Sequence, residues 1–476
     1  MSDKTTQLAI IGAGPGGYVA AFLAADLGLQ VTLIDPEANP GGVCLYRGCI
    51  PSKTLLHAAH MAQDARNGEQ WGLTFKDLSV DVGALRQRKD RVIAQLTEGL
   101  GQMVKRRKIA YIRGRAAFVD EKTLAIEDLD GGTRRLVFEQ AIIATGSRAV
   151  ELPLFEAAGE RVLDATTALD LAEVPDRLLV VGGGYIGLEL GSVYAGLGSR
   201  VSLVEMTPDL VPGVDRDLVR FLHKRLQSLF EDIRLQATVE EVKSQKNGVR
   251  VGIKDKNGDV QNRLFDKVLV AVGRRPSGDG LGFSKIGIMT DAHGFIRVDE
   301  HRRTNLPHIF AIGDVAGQPM LAHKASHEGR VAVEVIAGQK SAYEPLAVPA
   351  VIFTDPEIAW AGLTEAEAKE RKVAYEVARF PWGASSRAAT LGAPEGLTKL
   401  IVDPDTERIL GVGMVGRGAG ELIAEGTLAI EMGANATDLG LTIHPHPTLS
   451  ETMMEAAHVF HHNAAHYYSP KRKSKK

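Results

Sequence analysis

Sulfur is scarce in this chain. Its 476 residues include only two cysteines, Cys44 and Cys49, so no framework of disulfides staples the fold. In a reducing cytoplasm, the compartment expected here, a bridge between them has a chemical rather than a structural reason to exist. Charge of one sign is also missing: a formal net charge of -3 and a pI near 6.6 leave no broad positive field for nucleic acid or an anionic membrane. Small molecules or protein partners are therefore expected. No run of 18 apolar residues occurs, and MSDKTTQ passes straight into an apolar strand without the basic, apolar and small-residue succession of a signal peptide. Both absences speak against membrane insertion and secretion.

Length and glycine are what the sequence has in plenty. A chain this long exceeds one hydrophobic core, which stops growing near roughly 250–300 residues, so about three domains are expected. The 51 glycines point to many tight turns. Their placement exposes a repeat: residues 8–35 and 178–205 read as one βαβ unit written twice. Each has an apolar strand (LAII, LLVV), then glycines at 12, 14 and 17 or at 182, 184 and 187, then a helix ending at Gly28 or Gly198. A second strand closes each unit on a carboxylate, Asp35 or Glu205. In such units Gly12 and Gly182 make the turn, Gly14 and Gly184 admit a pyrophosphate, and Gly17 and Gly187 let helix and strand pack closely. The carboxylate accepts the hydroxyls of an adenosine ribose. One such fingerprint is weak evidence, but two at identical offsets predict an α/β protein with two Rossmann-like domains binding two dinucleotides. Glu205 selects NAD over NADP, because it repels a 2'-phosphate and no Arg or Lys occurs from Met206 to Asp215.

Directly after the first unit, GGVCLYRGCIPSKTLLHAAH sets Cys44 and Cys49 five positions apart at the start of a helical stretch. Three readings compete. A structural bridge would close so short a loop that it contributes only about 2 kcal/mol. A zinc site could draw on Cys44, Cys49, His57 and His60, although the spacings miss the usual short pairings. A redox pair would have its thiolates stabilised by the helix dipole and nearby cations. Arg47, between the cysteines, is expected to favour the thiolate by Coulomb attraction. Near the C-terminus, HPHPTLSET reads blandly as a capping box of Thr448 and Glu451 opening a helix. The terminal KRKSKK reads as a solvated tail, with docking to an acidic partner as the lesser reading.

These motifs, with AIIATGS, VVGGGYIGLE, AVGRRP, IFAIGD and FTDPEIAWAGLTE, resemble the flavin-dependent pyridine nucleotide-disulfide oxidoreductases over nearly the whole chain. Within them the sequence is most similar to the dihydrolipoyl dehydrogenases. The resemblance implies FAD in the first unit, NAD in the second, and a C-terminal α+β dimerisation domain. It implies an FAD domain over residues 1–148 with a return segment at 275–345, an NAD domain at 149–274 and an interface domain at 346–476. It assigns Cys44 and Cys49 as the redox pair, Lys53 with Glu189 near the flavin, and Asp314 at the ribityl chain. Thr145 and Gly146 in AIIATGS and Gly273 in AVGRRP join the cofactor-binding set. Without the motif, Lys53 would read as a solvated surface lysine. His446 becomes the catalytic base, held by Glu451 and reaching across a homodimer. No metal is implied. The implied partner is the lipoyl-bearing domain of a 2-oxo acid dehydrogenase or glycine cleavage complex. Tyr46 and Arg47 depart from the family's usual Asn-Val, which leaves open a shifted redox poise or a non-catalytic flavin-binding scaffold. Another NAD(P)H-dependent disulfide reductase is the nearer alternative. Ser52, where glutathione-type reductases carry lysine, and the lack of C-terminal cysteines argue against two such branches.

Overall fold

The computed structural model describes residues 4–468, so the basic tail at 471–476 lies outside them. Each fingerprint folds as a strand, a glycine turn, a helix and a parallel strand: Lys4–Ile11, Pro15–Asp26 and Val31–Asp35, then Arg177–Val181, Tyr185–Leu197 and Arg200–Glu205. The apolar runs Leu8–Ile11 and Leu178–Val181 are buried, as parallel strands covered on both faces require. Gly28 and Gly198 both sit at positive φ behind their helices, where the left-handed region favours glycine.

The first sheet is a parallel set in which Lys4–Ile11 lies between Val31–Asp35 and Thr133–Ile143. Ala110–Asp120 extends it beyond Val31–Asp35 and then turns antiparallel against Thr123–Asp128. After Ile143 the chain leaves through Ser147–Ala149, and Ile309–Ala311 later rejoins the sheet beside Thr133–Ile143. The outgoing Ser147–Ala149 and returning Arg274–Pro276 pair as a short antiparallel ribbon. Between them lies the second unit, a five-stranded parallel sheet with a three-stranded antiparallel sheet beside it.

The C-terminal part is a five-stranded antiparallel sheet backed by the helices Ala419–Glu431 and Glu451–Phe460. Its Ile352, Ile358, Leu397 and Val415 share one apolar cluster with Leu178, Leu188 and Leu218 of the second unit, so the two parts have a common core. At the same seam the fully buried Lys399 ammonium bonds Asp215 at 2.6 Å, Asp217 at 2.8 Å and Glu365 at 3.1 Å. These three carboxylates are the only group among the described residues tight enough to hold a metal ion, and the lysine already occupies it. Cys44, Cys49, His57 and His60 do not converge as a ligand set there, which removes the zinc reading.

Candidate active site

The glycine turns carry out three separate jobs. A Cβ on Gly12 would stand 2.4 Å from the Ala144 carbonyl, and one on Gly182 the same distance from Ala271. A Cβ on Gly17 or Gly187 would run into the turn itself, 1.9 or 2.2 Å from the carbonyl oxygen of Gly12 or Gly182. At Gly14 and Gly184 the space is open, with nothing nearer than 3.9 Å. Open backbone at a helix N-terminus, backed by two glycines that cannot be filled, fits a bound pyrophosphate in both units. Asp35 takes the Ala13 N–H at 2.7 Å and Glu205 takes the Gly183 N–H at 2.6 Å, so each carboxylate at the end of its second strand closes onto its own glycine turn. The first cation after Glu205 in sequence, Arg216, donates to the carbonyls of Leu210, Val211 and Val214.

Between the two cradles lies the cysteine pair, present as free thiols. Cys44 ends up within reach of Cys49 because Gly42–Arg47 and Cys49–Arg66 are two helices broken at Gly48, where a Cβ would meet the Val43 carbonyl at 2.9 Å. The Cys44 thiol donates to the Cys49 sulfur. This bond, helped by Lys53 and opposed by burial, lowers the Cys49 pKa to about 7 and pushes Cys44 upward. Lys53 follows Cys49 by one helical turn, so the two share a face. Its ammonium reaches Glu189 of the second unit at 2.7 Å and lies 4.6 Å over the Phe353 ring. The buried Glu189 also accepts the Phe353 N–H at 2.9 Å.

Arg47 corrects an expectation. Its guanidinium turns away from the sulfurs to pair with Glu37, because the side chain leaves its short helix on the side of the first cradle. The cation facing the cysteines is Lys53.

At the crossing between the units, Thr145 Oγ1 donates to the Ser277 carbonyl at 2.7 Å, and Ser277 N–H to the Gly146 carbonyl at 2.9 Å. The carbonyl of Gly273, itself at positive φ, accepts the Val150 N–H at 3.0 Å. Asp314 accepts from the Ser147 hydroxyl at 2.5 Å. Its turn is held from behind by a feature the sequence did not disclose: Glu328, fully buried, bonds Gly313 N–H at 2.6 Å and pairs with Arg302 and Lys324 at 3.0 Å. Tyr185 was missed as well. It follows Gly184 at the head of the second helix, and burial, with Glu189, Asp314 and Cys49 nearby, pushes its phenol up to about 12. Its position directly after the glycine turn was the available signal.

His446 is exposed, and its Nδ1 lies 2.8 Å from Glu451, whose other oxygen accepts Thr448 N–H at 2.8 Å. Burial raises the Glu451 pKa, but these two bonds outweigh it and hold the carboxyl below its ordinary range. The capping box is not formed: the Thr448 hydroxyl bonds the Pro445 carbonyl and Ser450, which occupies the N-cap. The cis His446–Pro447 peptide lies in this turn.

Comparison with known proteins matches residues 6–329 to the pyridine nucleotide-disulphide oxidoreductase family and 348–457 to that family's dimerisation domain. The chain is 48% identical to a dihydrolipoyl dehydrogenase of Haemophilus influenzae, over 96% of this chain and 95% of the relative. It is 46% identical to one of Vibrio cholerae, over 99% and 98%. Among solved structures, LpdA of Mycobacterium tuberculosis superimposes with a TM-score of 0.89 at 27% identity, over 96% and 99% of the two chains. The flavoprotein disulfide reductase RclA of Escherichia coli does so at 0.84 and 29%, over 94% and 98%. With its two nucleotide cradles, the cysteine pair between them and a matching C-terminal sheet, the chain belongs to the pyridine nucleotide-disulphide oxidoreductase family.

Proposed function

We propose that the chain is a cytoplasmic, FAD-dependent dihydrolipoyl dehydrogenase that oxidises protein-bound dihydrolipoamide with NAD as acceptor. The observation that carries this reading is the cysteine pair: a thiolate-prone Cys49 backed by Lys53 and Glu189, set between two cradles built for dinucleotides. Gly12, Gly14, Gly17 and Asp35 hold FAD, with Lys53, Thr145, Gly146 and Asp314 along it. Gly182, Gly184, Gly187, Glu205 and Gly273 hold NAD. FAD, when bound, supplies the relay that carries the electron pair from the cysteine dithiol to NAD.

In the dithiol half-reaction the base is His446 of one subunit, acting at the cysteine pair of the second. Its exposure suits a group completed by a partner, and the family's dimerisation domain spans it. Glu451 occupies Nδ1, which leaves Nε2 to take the substrate proton. The resulting substrate thiolate attacks Cys44 in the disulfide, and Cys49 leaves as a thiolate. The second substrate sulfur then displaces Cys44, giving lipoamide and the reduced pair. Cys49 suits the leaving role because its pKa lies below that of an ordinary thiol. No helix among the described residues is long and apolar enough to cross a membrane. The partner is a lipoyl-bearing domain of a multienzyme complex.

His446→Gln tests the assignment. It should fold and retain FAD, accept electrons from NADH normally, and lose roughly 10²- to 10⁴-fold in dihydrolipoamide oxidation, with partial rescue at high pH. An intact dithiol half-reaction in this variant would overturn the role of His446. Absence of turnover with dihydrolipoamide in the unaltered enzyme would reject the substrate.

A further inference from the structure

The loop joining Asp35 to the glycines at 41 and 42 is fastened on every side. Glu37 N–H donates to Asp35 Oδ1 at 2.9 Å, and the Tyr111 hydroxyl donates to the Glu37 carbonyl at 3.1 Å. Gly41 N–H bonds the Ala13 carbonyl at 2.8 Å. The helix Val82–Arg106 passes so near that a Cβ on Gly101 would stand 2.1 Å from Asn39 Oδ1. Two further fastenings come from between the cysteines. The Tyr46 hydroxyl donates to the Asn39 carbonyl at 3.0 Å, and Arg47 pairs with the Glu37 carboxylate.

We propose that Tyr46 and Arg47 are FAD-positioning residues: through Asn39 and Glu37 they secure the loop behind Asp35, and so set the carboxylate that receives the adenosine ribose. The proposal rests on reading the first cradle as the FAD site. It makes the helix carrying Cys44 a structural link between the redox centre and the far end of the cofactor.

Electrostatics points the same way. Burial pushes the Asp35 carboxyl up, whereas the Ala13 N–H, Arg47 and Arg115 pull it back toward ionisation. The Glu37 N–H also bonds it, and the Tyr111 phenol faces it. A carboxylate can accept from both ribose hydroxyls, whereas a neutral carboxyl accepts less well and must place a proton. Removing Arg47 therefore weakens FAD retention twice, by freeing the loop and by moving the loss of the Asp35 charge to higher pH.

The test uses purified holoenzyme and reads FAD dissociation from the recovery of free-flavin fluorescence, at about pH 7.5 and about pH 5.5, beside a pH titration of the Cys49 thiolate. Arg47→Met should raise the FAD dissociation constant roughly five- to tenfold, and more at the lower pH. Tyr46→Phe, which removes one hydroxyl and little else, should give a smaller rise with no pH dependence. Glu37→Gln frees the loop but keeps the Arg47 charge, so it should give a smaller rise without the added loss at lower pH, and the double variant should be no weaker than Arg47→Met alone. The Cys49 titration should stay near 7 throughout. Unchanged FAD affinity in Arg47→Met and Tyr46→Phe would overturn the proposal, and a raised Cys49 pKa in Arg47→Met would assign the arginine to the thiolate instead. Asp35→Ala separates the two levels of inference: if it leaves FAD affinity intact, the underlying reading of the first cradle fails. If it weakens FAD while the Tyr46 and Arg47 variants do not, only the positioning role fails.

Discussion

The two nucleotide cradles use the same glycine geometry and differ in what stands behind their carboxylates. Each carboxylate bonds the N–H inside its turn and another two residues further on: Glu37 for Asp35 at 2.9 Å, Thr207 for Glu205 at 2.7 Å. Past that point they part. The loop behind Asp35 is pinned by two tyrosines, an ion pair and a neighbouring helix. Behind Glu205, Met206 is 73% exposed, and the loop is tied within its own unit, by Val211 N–H to the Gly183 carbonyl and by Arg216 to the carbonyls of Leu210 and Val211. The same turn geometry is built in both units, whereas the first unit's loop is fastened to the helix that holds Cys44 and the second unit's loop to itself.

The strongest way to break the comparison is to fill the same glycine in each unit. Gly17→Ala drives a Cβ into the Gly12 carbonyl and should yield protein without flavin, measured as the flavin-to-protein ratio. Gly187→Ala makes the matching clash at Gly182 and should keep its yellow flavin, yet lose reduction by NADH in stopped flow. Equal loss of flavin in both would show that the units are not independent. A smaller effect is expected at Glu205. The unaltered enzyme should prefer NADH to NADPH by a factor of tens or more in kcat/KM, and Glu205→Ala should bring the ratio below about tenfold by removing the repulsion. Smallest is the effect at the bridge between the units. Lys53 lowers the Cys49 pKa and Glu189 raises it, so Lys53→Met should move the thiolate titration upward from about 7, by roughly one unit. Because a lowered thiol pKa keeps the thiolate at neutral pH and loses it as pH falls through about 7, this variant should need more alkaline solution for the same thiolate absorbance.

Periodicity and glycine spacing made both cradles legible, since turn geometry is local and each glycine's task depends on neighbours within one βαβ unit. Lys53 and Glu189 are 136 positions apart, and only the family resemblance paired them. Side-chain direction was the weak link. Arg47 stands between the cysteines in sequence, but in space its guanidinium meets the half-buried carboxylate of Glu37 across the loop. Thr448 and Glu451 have capping-box spacing, yet the turn at His446–Pro447 sends the threonine hydroxyl to Pro445. Glu328 and its two cations were invisible because the meeting of Glu328 with the Gly313 turn is a matter of tertiary packing.

The caged Lys399 bears on how this molecule can be divided. Its ammonium belongs to the C-terminal sheet, and two of its three counter-ions, Asp215 and Asp217, belong to the second unit. Leu218, on the same helix as Asp217, stands so near the sheet that a Cβ on Gly413 would lie 2.8 Å from it. A recombination breakpoint placed between residues 217 and 365, grafting the C-terminal sheet of a relative onto the rest of this chain, would part acids from base. Unless the incoming sheet carries its own lysine at the matching position, the chimera buries carboxylates with no cation, a fault of about 3–5 kcal/mol. Chimeras that keep Asp215 and the helix Arg216–Leu229 together with the sheet avoid that fault, so this stretch travels with the C-terminal sheet although it follows the second βαβ unit in sequence.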